Sequence, residues 1–510
     1  MNEEPVTRIV IVGGGTAGWM AAAALSKLTA SKITLVESEA IGTVGVGEAT
    51  IPQIRIFNRA LGIDEAEFLR ETKGTFKLGI EFAGWTGEGS SYMHAFGNVG
   101  EGGGLVPFHH YWLKARASGA AGDLRAYSLN ERAARANRMG MWATQPGKPA
   151  PDMPWAYHFD ASLYARYLRN LAEKSGVERL EGIVAKVEVS AGKDVIRSVR
   201  LEDGRTIEGD FFIDCTGFRA LLIEGALGAG FEDWSHWLPC DSAVAVPSTM
   251  KGEFTPYTRA TARPAGWQWR IPLQHRIGNG HVYSSVHMSA EKALDLLLST
   301  IDGEPQAEPN RLSFTTGMRR RQWIGNCLAL GLSAGFMEPL ESTSIHLIQS
   351  SIARFVAMLP GRDGQPALAD EFNRQAQFEW TRIRDFLILH YAANGRVGEP
   401  FWDACRAMEL PDTLSAKIEQ FRSAGFIHRE HEELFTLPGW LQVFVGQGIL
   451  PERWHPIADR RDPAELKAFL DRIETQIGRI VDTMPGHAPF LRDYCMPRDS
   501  APARAPETVQ

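Results

Sequence analysis

The stretch Arg8-Ile-Val-Ile-Val-Gly-Gly-Gly-Thr-Ala-Gly-Trp19 decides the fold of this chain. Residues 9–12 are all β-branched, a pattern typical of a strand that is buried on both faces. Gly13, Gly15 and Gly18 follow with the spacing G-x-G-x-x-G, and an alanine-rich run then predicts a helix. The first glycine permits a tight turn, the second lets a pyrophosphate approach, and the third lets the helix pack on the sheet. The stretch therefore predicts a dinucleotide site at the start of that helix.

A second predicted strand, over residues 32–36, supports this interpretation. It ends at Glu37, which lies 19 residues after Gly18, where such folds place an acceptor for a ribose hydroxyl. A surface glycine turn beside an unrelated glutamate is the alternative, but the order strand–helix–strand favours the nucleotide site. A further glycine-rich stretch, Ile41–Pro52, can bring its backbone close to a flat or charged ligand, or can be a surface loop.

The composition excludes several classes of protein. A length of 510 residues exceeds one small core and indicates two or three substructures. The net charge of −7 provides no polycationic surface for nucleic acid, and no apolar run reaches membrane-spanning length. The five cysteines lack C-x-x-C spacing, which argues against disulfides and a metal site. Because the N-terminus also lacks a signal peptide, we expect a cytoplasmic protein.

The remaining pattern predicts a mixed α/β chain. Residues 54–70 and 108–143 have helical periodicity, and residues 86–105 read as a glycine-rich loop. A buried strand is predicted over Gly209–Arg219. Strands at 243–246, 267–271 and 281–287 predict a second sheet.

Three local features are candidates for chemistry, each with an ordinary structural alternative. Residues 75–85 alternate like a strand and place Lys77 opposite its apolar face, where a solvated lysine is the simplest interpretation. Trp267 and Trp269 share one face of a strand, as two core tryptophans also would. Residues 341–344 predict the first turn of a helix, whose N–H groups suit an anion and whose start suits a capping glutamate.

Five ordered stretches resemble the flavin-dependent tryptophan-halogenase family over nearly the whole chain. These are Gly13–Trp19, Gly45–Thr50, Phe76–Lys77, Gly266-Trp-Gln-Trp-Arg-Ile-Pro272 and Glu338–Thr343. The resemblance implies an α/β, FAD-binding two-dinucleotide fold of the aromatic-hydroxylase type, with a substrate-side sheet and a C-terminal helical subdomain. In such a fold the strand over 209–219 returns to the nucleotide sheet.

The residue pattern predicts a division of the chain, and the resemblance implies a set of cofactor contacts. Residues 1–365 would form the FAD-binding module with the interleaved substrate-side sheet, residues 366–495 a mostly helical substrate subdomain, and residues 496–510 a disordered tail. The residues that would contact FAD are Gly13, Gly15, Thr16, Ala17, Gly18, Glu37, Gly47, Glu48, Ala49, Val184, Leu332 and Ile345.

By this resemblance the protein is an oxidoreductase that uses FADH2, O2 and chloride or bromide to halogenate an electron-rich, indole-type aromatic. Hypohalous acid would be delivered to Lys77, which presents the halogen to the substrate. Glu341 would polarise the oxidant or take up the proton released from the ring. The backbone N–H groups of Thr343 and Ser344 would hold the halide. The residues that would line the substrate pocket are His94, Phe96, Trp267 and Trp269.

Departures from the family limit the substrate and the partners. Residues 434–451 show little of the Tyr- and Trp-rich lid of tryptophan-specific members, so free indole, a substituted indole or phenol, or a carrier-bound aromatic is expected instead. Only one dinucleotide fingerprint, at 13–18, is convincing, so a separate flavin reductase would supply FADH2 by diffusion. The sequence leaves the oligomeric state open, a homodimer being one option.

Two other classes of function remain as alternatives. The first is an FAD-dependent aromatic monooxygenase, a hydroxylase of the same fold. Hydroxylases usually carry Gly-Asp where this chain has Gly331-Leu332, and the string G-W-x-W-x-I-P also counts against hydroxylation. The second alternative is a flavin-binding module without catalysis, in which Lys77 and Glu341 would be incidental.

Overall fold

The computed structural model describes residues 6–41, 47–101, 104–142, 150–190, 192, 194–252, 254–361 and 365–496. In these ranges the strands are β1 (Arg8–Val12), β2 (Lys32–Glu37), β3 (Gly47–Ala49), β4 (Thr75–Lys77), β5 (Gly79–Ala83), β6 (Ser91–Ala95), β7 (Ala156–Asp160), β8 (Glu178–Glu181), β9 (Val184–Val189), β10 (Ile196–Leu201), β11 (Thr206–Glu208), β12 (Phe211–Asp214), β13 (Phe231–Asp233), β14 (Ser242–Ser248), β15 (Thr258–Arg263), β16 (Gly266–Pro272), β17 (Ile277–Tyr283), β18 (Asn310–Ser313), β19 (Gly317–Arg319), β20 (Trp323–Ile324), β21 (Cys327–Ala329) and β22 (Gly335–Phe336). The α-helices are α1 (Thr16–Leu28), α2 (Gln53–Ala60), α3 (Glu65–Glu71), α4 (Phe108–Ala117), α5 (Leu129–Arg135), α6 (Ala161–Lys174), α7 (Ala290–Thr300), α8 (Ser344–Ala357), α9 (Pro366–Ala392), α10 (Pro400–Ala407), α11 (Asp412–Ala424), α12 (Leu437–Gly446), α13 (Pro463–Thr483) and α14 (His487–Tyr494).

The chain folds as two compact units, and each unit is assembled from three separate segments. The segments of the first unit are Met1–Gly74, Phe159–Ala243 and Arg311–Arg384. The segments of the second unit are Thr75–His158, Val244–Asn310 and Asp385–Gln510. The domain boundary predicted between residues 365 and 366 lies within the third segment of the first unit.

The first unit is built on a six-stranded sheet in the order β20-β21-β12-β1-β2-β8. Its strands are parallel except for β20, and β1 pairs with β2 on one side and with β12 on the other. The strand predicted over 209–219 therefore does return to the nucleotide sheet, with Phe211 opposite Ile9. Helix α1 packs against α6 and α8. The apolar run of β1 is buried on both faces because helices and strands cover it, as its β-branched residues predict.

The second unit contains a largely antiparallel sheet, in which β14, β17, β16, β15, β5 and β6 lie side by side in that order. The pair β15–β5 is parallel, and β5–β6, β15–β16 and β16–β17 are antiparallel. The C-terminal part is helical from α10 to α14. The predicted class, an α/β protein with a further sheet and a helical C-terminal region, is confirmed.

Several predicted elements differ in the structure. The helix over 54–70 is divided into α2 and α3, because Gly62 adopts a positive φ of 67° and Asp64 then caps α3 by accepting from Glu67 N–H. The helix over 108–143 is likewise interrupted after α4, and the loop over 86–105 contains strand β6.

The strand predicted over 281–287 ends at Tyr283, because Ser284 starts a turn in which its carbonyl accepts from His287 N–H at 3.0 Å. Strand β15 and helix α7 were not anticipated between residues 240 and 300.

Two kinds of feature are absent from the described ranges. No helix there combines the length and the apolar character that a membrane span requires. No group of three or more His, Cys, Asp or Glu side chains there is arranged to hold a metal ion. Gly45 of the predicted stretch 45–50 and residues 497–510 of the predicted tail lie outside the described residues.

The histidines of the second unit predict acid-sensitive stability. His109, His110, His158, His281 and His487 are buried, and burial lowers the pKa of each, to about 3 for His110 and about 4 for His281 and His487. Unfolding restores a pKa of about 6.5, so the unfolded chain binds more protons below that pH. We expect the free energy of unfolding to fall from about pH 6.5 towards pH 4, by up to ~1.4 kcal/mol per histidine and pH unit.

Urea unfolding at a series of pH values, with hydrogen exchange to assign the loss to the second unit, checks this expectation. An unfolding midpoint that stays constant from neutral pH down to about pH 5, well below the histidine pKa in unfolded chains, would contradict it.

Candidate active site

The glycine motif forms the turn between β1 and α1. Gly13 has a φ of 110°, and its N–H donates to the carbonyl of Val36 at 2.8 Å. A Cβ on Gly13 would overlap with the carbonyl of Cys215, and one on Gly18 would overlap with the carbonyl of Gly13. In contrast, no atom lies within 4 Å of the position that a Cβ on Gly15 would take. Because the N-cap of α1 is this glycine, no side chain caps the helix start, and the open space there fits a pyrophosphate.

Glu37 lies beside this turn at the end of β2. A Cβ on Gly14 would overlap with the Glu37 carboxylate, whose nearest atom is Oε2. The other oxygen, Oε1, accepts from Arg179 Nε at 2.5 Å and lies 3.8 Å from Arg169 Nη1. The two arginines thus orient the carboxylate with one oxygen at the turn, where a ribose hydroxyl requires an acceptor. No local pattern marks these arginines, which follow Glu37 by more than a hundred residues.

Two further predicted flavin contacts lie on segments that meet α1 or the end of β2. A Cβ on Gly331 would lie 2.8 Å from Ala17 Cβ, so the 3₁₀ turn of residues 331–333, which carries Leu332, contacts the first turn of α1. The N–H of Gly182 donates to the last carbonyl of β2 at 2.8 Å, which brings the start of β9 and Val184 to this end of the sheet. Leu332 thus lies on a turn that contacts α1, and Val184 lies two residues after the bond that links Gly182 to β2.

The described part of the second glycine-rich stretch forms the short strand β3. Gly47, Glu48 and Ala49 constitute this strand. Burial raises the pKa of Glu48 to about 7, so its carboxyl group is close to half-protonated at neutral pH.

The structure separates Glu341 from helix α8. Residues 339–341 form a 3₁₀ turn, Ser342 follows with a left-handed φ of 59°, and α8 begins at Ser344 with Thr343 as its N-cap. The prediction that Glu341 occupies the first helical turn is therefore wrong, because the left-handed residue interrupts the helix. Capping of α8 does not explain this glutamate, which is only 1% exposed.

The start of α8 offers backbone N–H groups. The first hydrogen bond of the helix runs from Leu347 N–H to the carbonyl of Thr343 at 3.0 Å, and Thr343 makes no side-chain capping hydrogen bond. The N–H groups of Ser344 and Ile345 precede that bond and have no acceptor within the helix. This geometry suits a small anion. Of the two N–H groups predicted to hold the halide, those of Thr343 and Ser344, that of Ser344 belongs to this pair.

A half-buried carboxylate on α9 anchors α8. Glu379 accepts from Ser350 Oγ at 2.9 Å and from Arg354 Nη2 at 2.8 Å, and it lies 3.0 Å from His346 Nε2. Burial alone would raise the pKa of Glu379, but hydrogen bonds and charge from His346 and Arg354 lower it to about 2. Glu379 is therefore ionised at neutral pH and ties α8 to α9 along three successive turns of α8.

Lys77, in the second unit, is the last residue of β4 and is fully buried. Its ammonium lies 5.4 Å from the centroid of the Phe96 ring. The interpretation as a solvated strand lysine is therefore wrong. The predicted single strand over 75–85 is divided into β4 and β5, because Leu78 N–H donates to the carbonyl of Pro256 at 2.7 Å.

His94, on β6, is surrounded by aromatic rings of the C-terminal segment. Its ring centroid lies 5.3 Å from that of Phe386 and 5.8 Å from that of Phe435, and these two phenylalanines stack on each other at 3.9 Å. A Cβ on Gly439 would lie 2.9 Å from His94 Nε2. Residues 434–451 were predicted to lack the Tyr- and Trp-rich lid of the family. In the structure this stretch contains α12, which packs on β6.

Helix α12 is fixed to β6 by one side chain that sequence analysis missed. The amide of Gln442 accepts from Ala95 N–H at 3.1 Å and donates to the carbonyl of Ala95 at 3.0 Å. Gln442 thus occupies the hydrogen-bonding position of a neighbouring strand beside His94 and Phe96. Nothing local marks this glutamine, since its partner lies 347 residues away.

Trp267 and Trp269 lie on β16 with ring centroids 6.2 Å apart, and both are buried. The indole of Trp269 lies across Gly280 of β17, where a Cβ would overlap with the ring. The two tryptophans, Lys77, His94 and Phe96 all belong to the second unit, whereas Glu341 and the glycine motif belong to the first.

A family model described as tryptophan halogenase matches residues 8–463. This chain belongs to the tryptophan halogenase family. It is 34% identical to tryptophan 6-halogenase ThaL of Streptomyces albogriseolus, an alignment that covers 96% of this chain and 98% of that protein.

Solved structures of flavin-dependent halogenases are also similar to this tryptophan-halogenase family member. Xcc4156 from Xanthomonas campestris is 48% identical with a TM-score of 0.93, covering 99% of this chain and 100% of that one. BrvH from Brevundimonas sp. BAL3 is 45% identical with a TM-score of 0.92, covering 96% and 99%. The predicted family, fold and enzyme class are confirmed: this protein is a flavin-dependent halogenase that uses FAD, and the hydroxylase alternative is not favoured.

Proposed function

We propose that this halogenase acts on a neutral, electron-rich, indole-type aromatic, with chloride or bromide as the halide. The observation that carries the substrate class is the wall around His94, formed by Phe386, Phe435 and the start of α12. Free tryptophan would bring an ammonium and a carboxylate, and burying charges requires charged or hydrogen-bonding partners. Stacked phenylalanine rings favour a flat apolar substrate instead.

A charged pair connected to this wall supports the same conclusion. Lys417 Nζ donates to both oxygens of Glu433, at 2.7 and 2.8 Å, and Trp440 Nε1 donates to Glu433 Oε1 at 3.0 Å. Glu433 is fully buried, so each charge is compensated by the other. The ring centroids of Trp440 and Phe386 lie 4.8 Å apart, so Trp440 connects the ion pair to the aromatic wall.

The roles of the site residues follow from their chemistry. Reduced FAD with O2 supplies the oxidising power that converts halide into hypohalous acid. The backbone N–H groups of Thr343 and Ser344 hold the halide, and the paired tryptophans of β16 separate substrate from flavin. Lys77 binds the hypohalous acid or takes up its halogen as an amine, and presents it to the aromatic ring. Glu341 accepts the proton that leaves the ring when aromaticity is restored.

Product analysis with competing substrates tests this proposal. The purified protein, FAD, a separate flavin reductase, NADH and bromide or chloride are incubated with indole and with free tryptophan. We expect a mass increase of one halogen on indole, with kcat/KM at least about tenfold higher than for tryptophan, since a buried unpaired charge costs well over 1.4 kcal/mol. Addition of oxygen, or preference for tryptophan, would contradict the proposal.

Omission of the reductase provides the matched control. Because one dinucleotide fingerprint serves FAD, we expect NADH or NADPH alone to leave the flavin absorbance unchanged. Rapid flavin reduction by the purified protein would show a nicotinamide site of its own.

A further inference from the structure

A buried hydrogen-bond network joins the strand of Lys77 to the end of β16. Thr75 Oγ1 donates to the carbonyl of Pro272 at 2.8 Å and lies 3.0 Å from His158 Nδ1. His158 Nε2 lies 2.9 Å from Thr258 Oγ1. Thr75 and His158 are fully buried, and Thr258 is 4% exposed. The network connects β4, β7, β15 and β16 within the second unit.

The direction of each hydrogen bond follows from the number of protons available. Thr75 Oγ1 has a single proton, which it donates to Pro272, so it accepts from His158 Nδ1–H. Nε2 of His158 then carries the lone pair and accepts from the hydroxyl of Thr258. Burial, reinforced by the charge of Lys77, holds the pKa of His158 well below its usual value, so the ring is neutral. Every polar atom of the imidazole is thereby satisfied, which makes the network rigid.

The network lies next to Lys77 by strand register. Thr75 pairs with His158 across β4 and β7, and Lys77 follows two residues later on the same face of β4. Lys77 is also the last residue before the chain leaves this sheet at Leu78. The backbone from which Lys77 projects is therefore held on one side by the imidazole of His158. Through Thr75 it is also held by Pro272, at the end of β16.

We propose that His158 and Thr75 are positioning residues that hold the amine of Lys77 where it intercepts hypohalous acid. This inference rests on the proposed function of Lys77. Hypohalous acid is small and diffuses readily, so an amine displaced by about 1 Å loses roughly a hundredfold in reaction probability. The acid would then escape to solvent although its formation continues. The network thus sets the coupling ratio, the amount of halogenated product per free hypohalous acid.

Variants that break single links test this role. Thr75→Val removes the connection to Pro272, and His158→Phe removes both hydrogen bonds of the imidazole while filling its volume. We expect each to lower the coupling ratio by about 10- to 100-fold, measured with reductase, bromide, indole and monochlorodimedone as the trap for free acid. Thr258→Val should have a smaller effect, because the link from Thr75 to Pro272 remains.

A matched control is a buried histidine that makes no contact with this network. His281 lies on β17 and is fully buried like His158. Its Nδ1 donates to the carbonyl of Ala293 on α7 at 3.2 Å. We expect His281→Phe to leave the coupling ratio unchanged even if it lowers stability. His158→Asn keeps a donor near the position of Nδ1, so it should recover part of the ratio lost in His158→Phe, and it serves if the phenylalanine variant does not fold.

A second measurement needs no flavin. Hydrogen exchange of the apoprotein should become faster over residues 75–77 in His158→Phe, and not in His281→Phe. A folded Thr75→Val protein with a wild-type coupling ratio would overturn the inference, as would an equal loss of product and free acid, which indicates a merely structural role. A wild-type enzyme that forms neither product nor free acid would overturn the proposed function itself.

Discussion

Replacing Lys77 with methionine should abolish halogenation of indole while hypohalous acid continues to form. Methionine keeps an unbranched side chain in a site that is fully buried and borders the Phe96 ring, so the packing is largely conserved. What it removes is the amine, and loss of a group that acts directly on the reacting atoms costs on the order of 10²–10⁴ in rate. Mass spectra of indole products, together with trapping of free hypohalous acid, measure both quantities in one reaction.

The variant Lys77→Arg separates the charge from the amine. Arginine keeps a positive charge but is a poor nucleophile with a different geometry, so we expect it to be inactive as well. Because the charge of Lys77 contributes to the low pKa of His158, Lys77→Met should raise that pKa, which an NMR titration detects. Substantial halogenation by Lys77→Met would show that the assigned role is wrong.

Replacing Glu341 with glutamine should lower turnover at least about a hundredfold and change the melting temperature little. Glutamine has the shape of glutamate and can still accept hydrogen bonds, so the buried turn of residues 339–341 is retained. It cannot take up the proton released by the aromatic ring, and loss of such chemistry costs about 10²–10⁴ in rate. Since Glu341 does not cap α8, loss of its charge should not lower the stability of that helix.

The same segment contains a matched control. Glu338 is also fully buried and lies three residues earlier, so Glu338→Gln tests what an amide costs in this environment. We expect a much smaller loss of turnover than for Glu341→Gln, at comparable melting temperature. Near-normal turnover of Glu341→Gln would leave Lys77 to act alone.

The nucleotide-binding half of the molecule was predictable because its requirements are local. The turn after β1 requires a residue with φ of 110° at position 13, which only glycine adopts readily, and nothing packs at Gly15, where the motif predicts the pyrophosphate. The apolar character of Phe211–Ile213 likewise predicts a strand in the centre of the sheet. Both requirements, glycine at a positive φ and an apolar run in a buried strand, are visible in the local sequence.

Features that depend on distant partners were not predictable in this way. The break between β4 and β5 arises from a hydrogen bond between Leu78 and Pro256, and no local pattern indicates it. The left-handed conformation of Ser342, which detaches Glu341 from α8, has no glycine to mark it. His158 lies 83 residues from Thr75 and 100 residues from Thr258. No local pattern therefore distinguishes this buried, neutral histidine from an exposed one.

The interleaving of the two units has a consequence for biosynthesis. The central sheet of the first unit needs β21, at Cys327–Ala329, to cover the outer edge of β12. At about 5–20 residues per second, a ribosome takes roughly 15–65 s to travel from β1 to that strand. During this interval β1 lacks its neighbour β12 until residues 211–214 have been made, and β12 then lacks β21 until the end. We therefore expect the nascent chain to depend on chaperones more than its final stability suggests, and neither unit to be obtainable by expressing one continuous gene fragment.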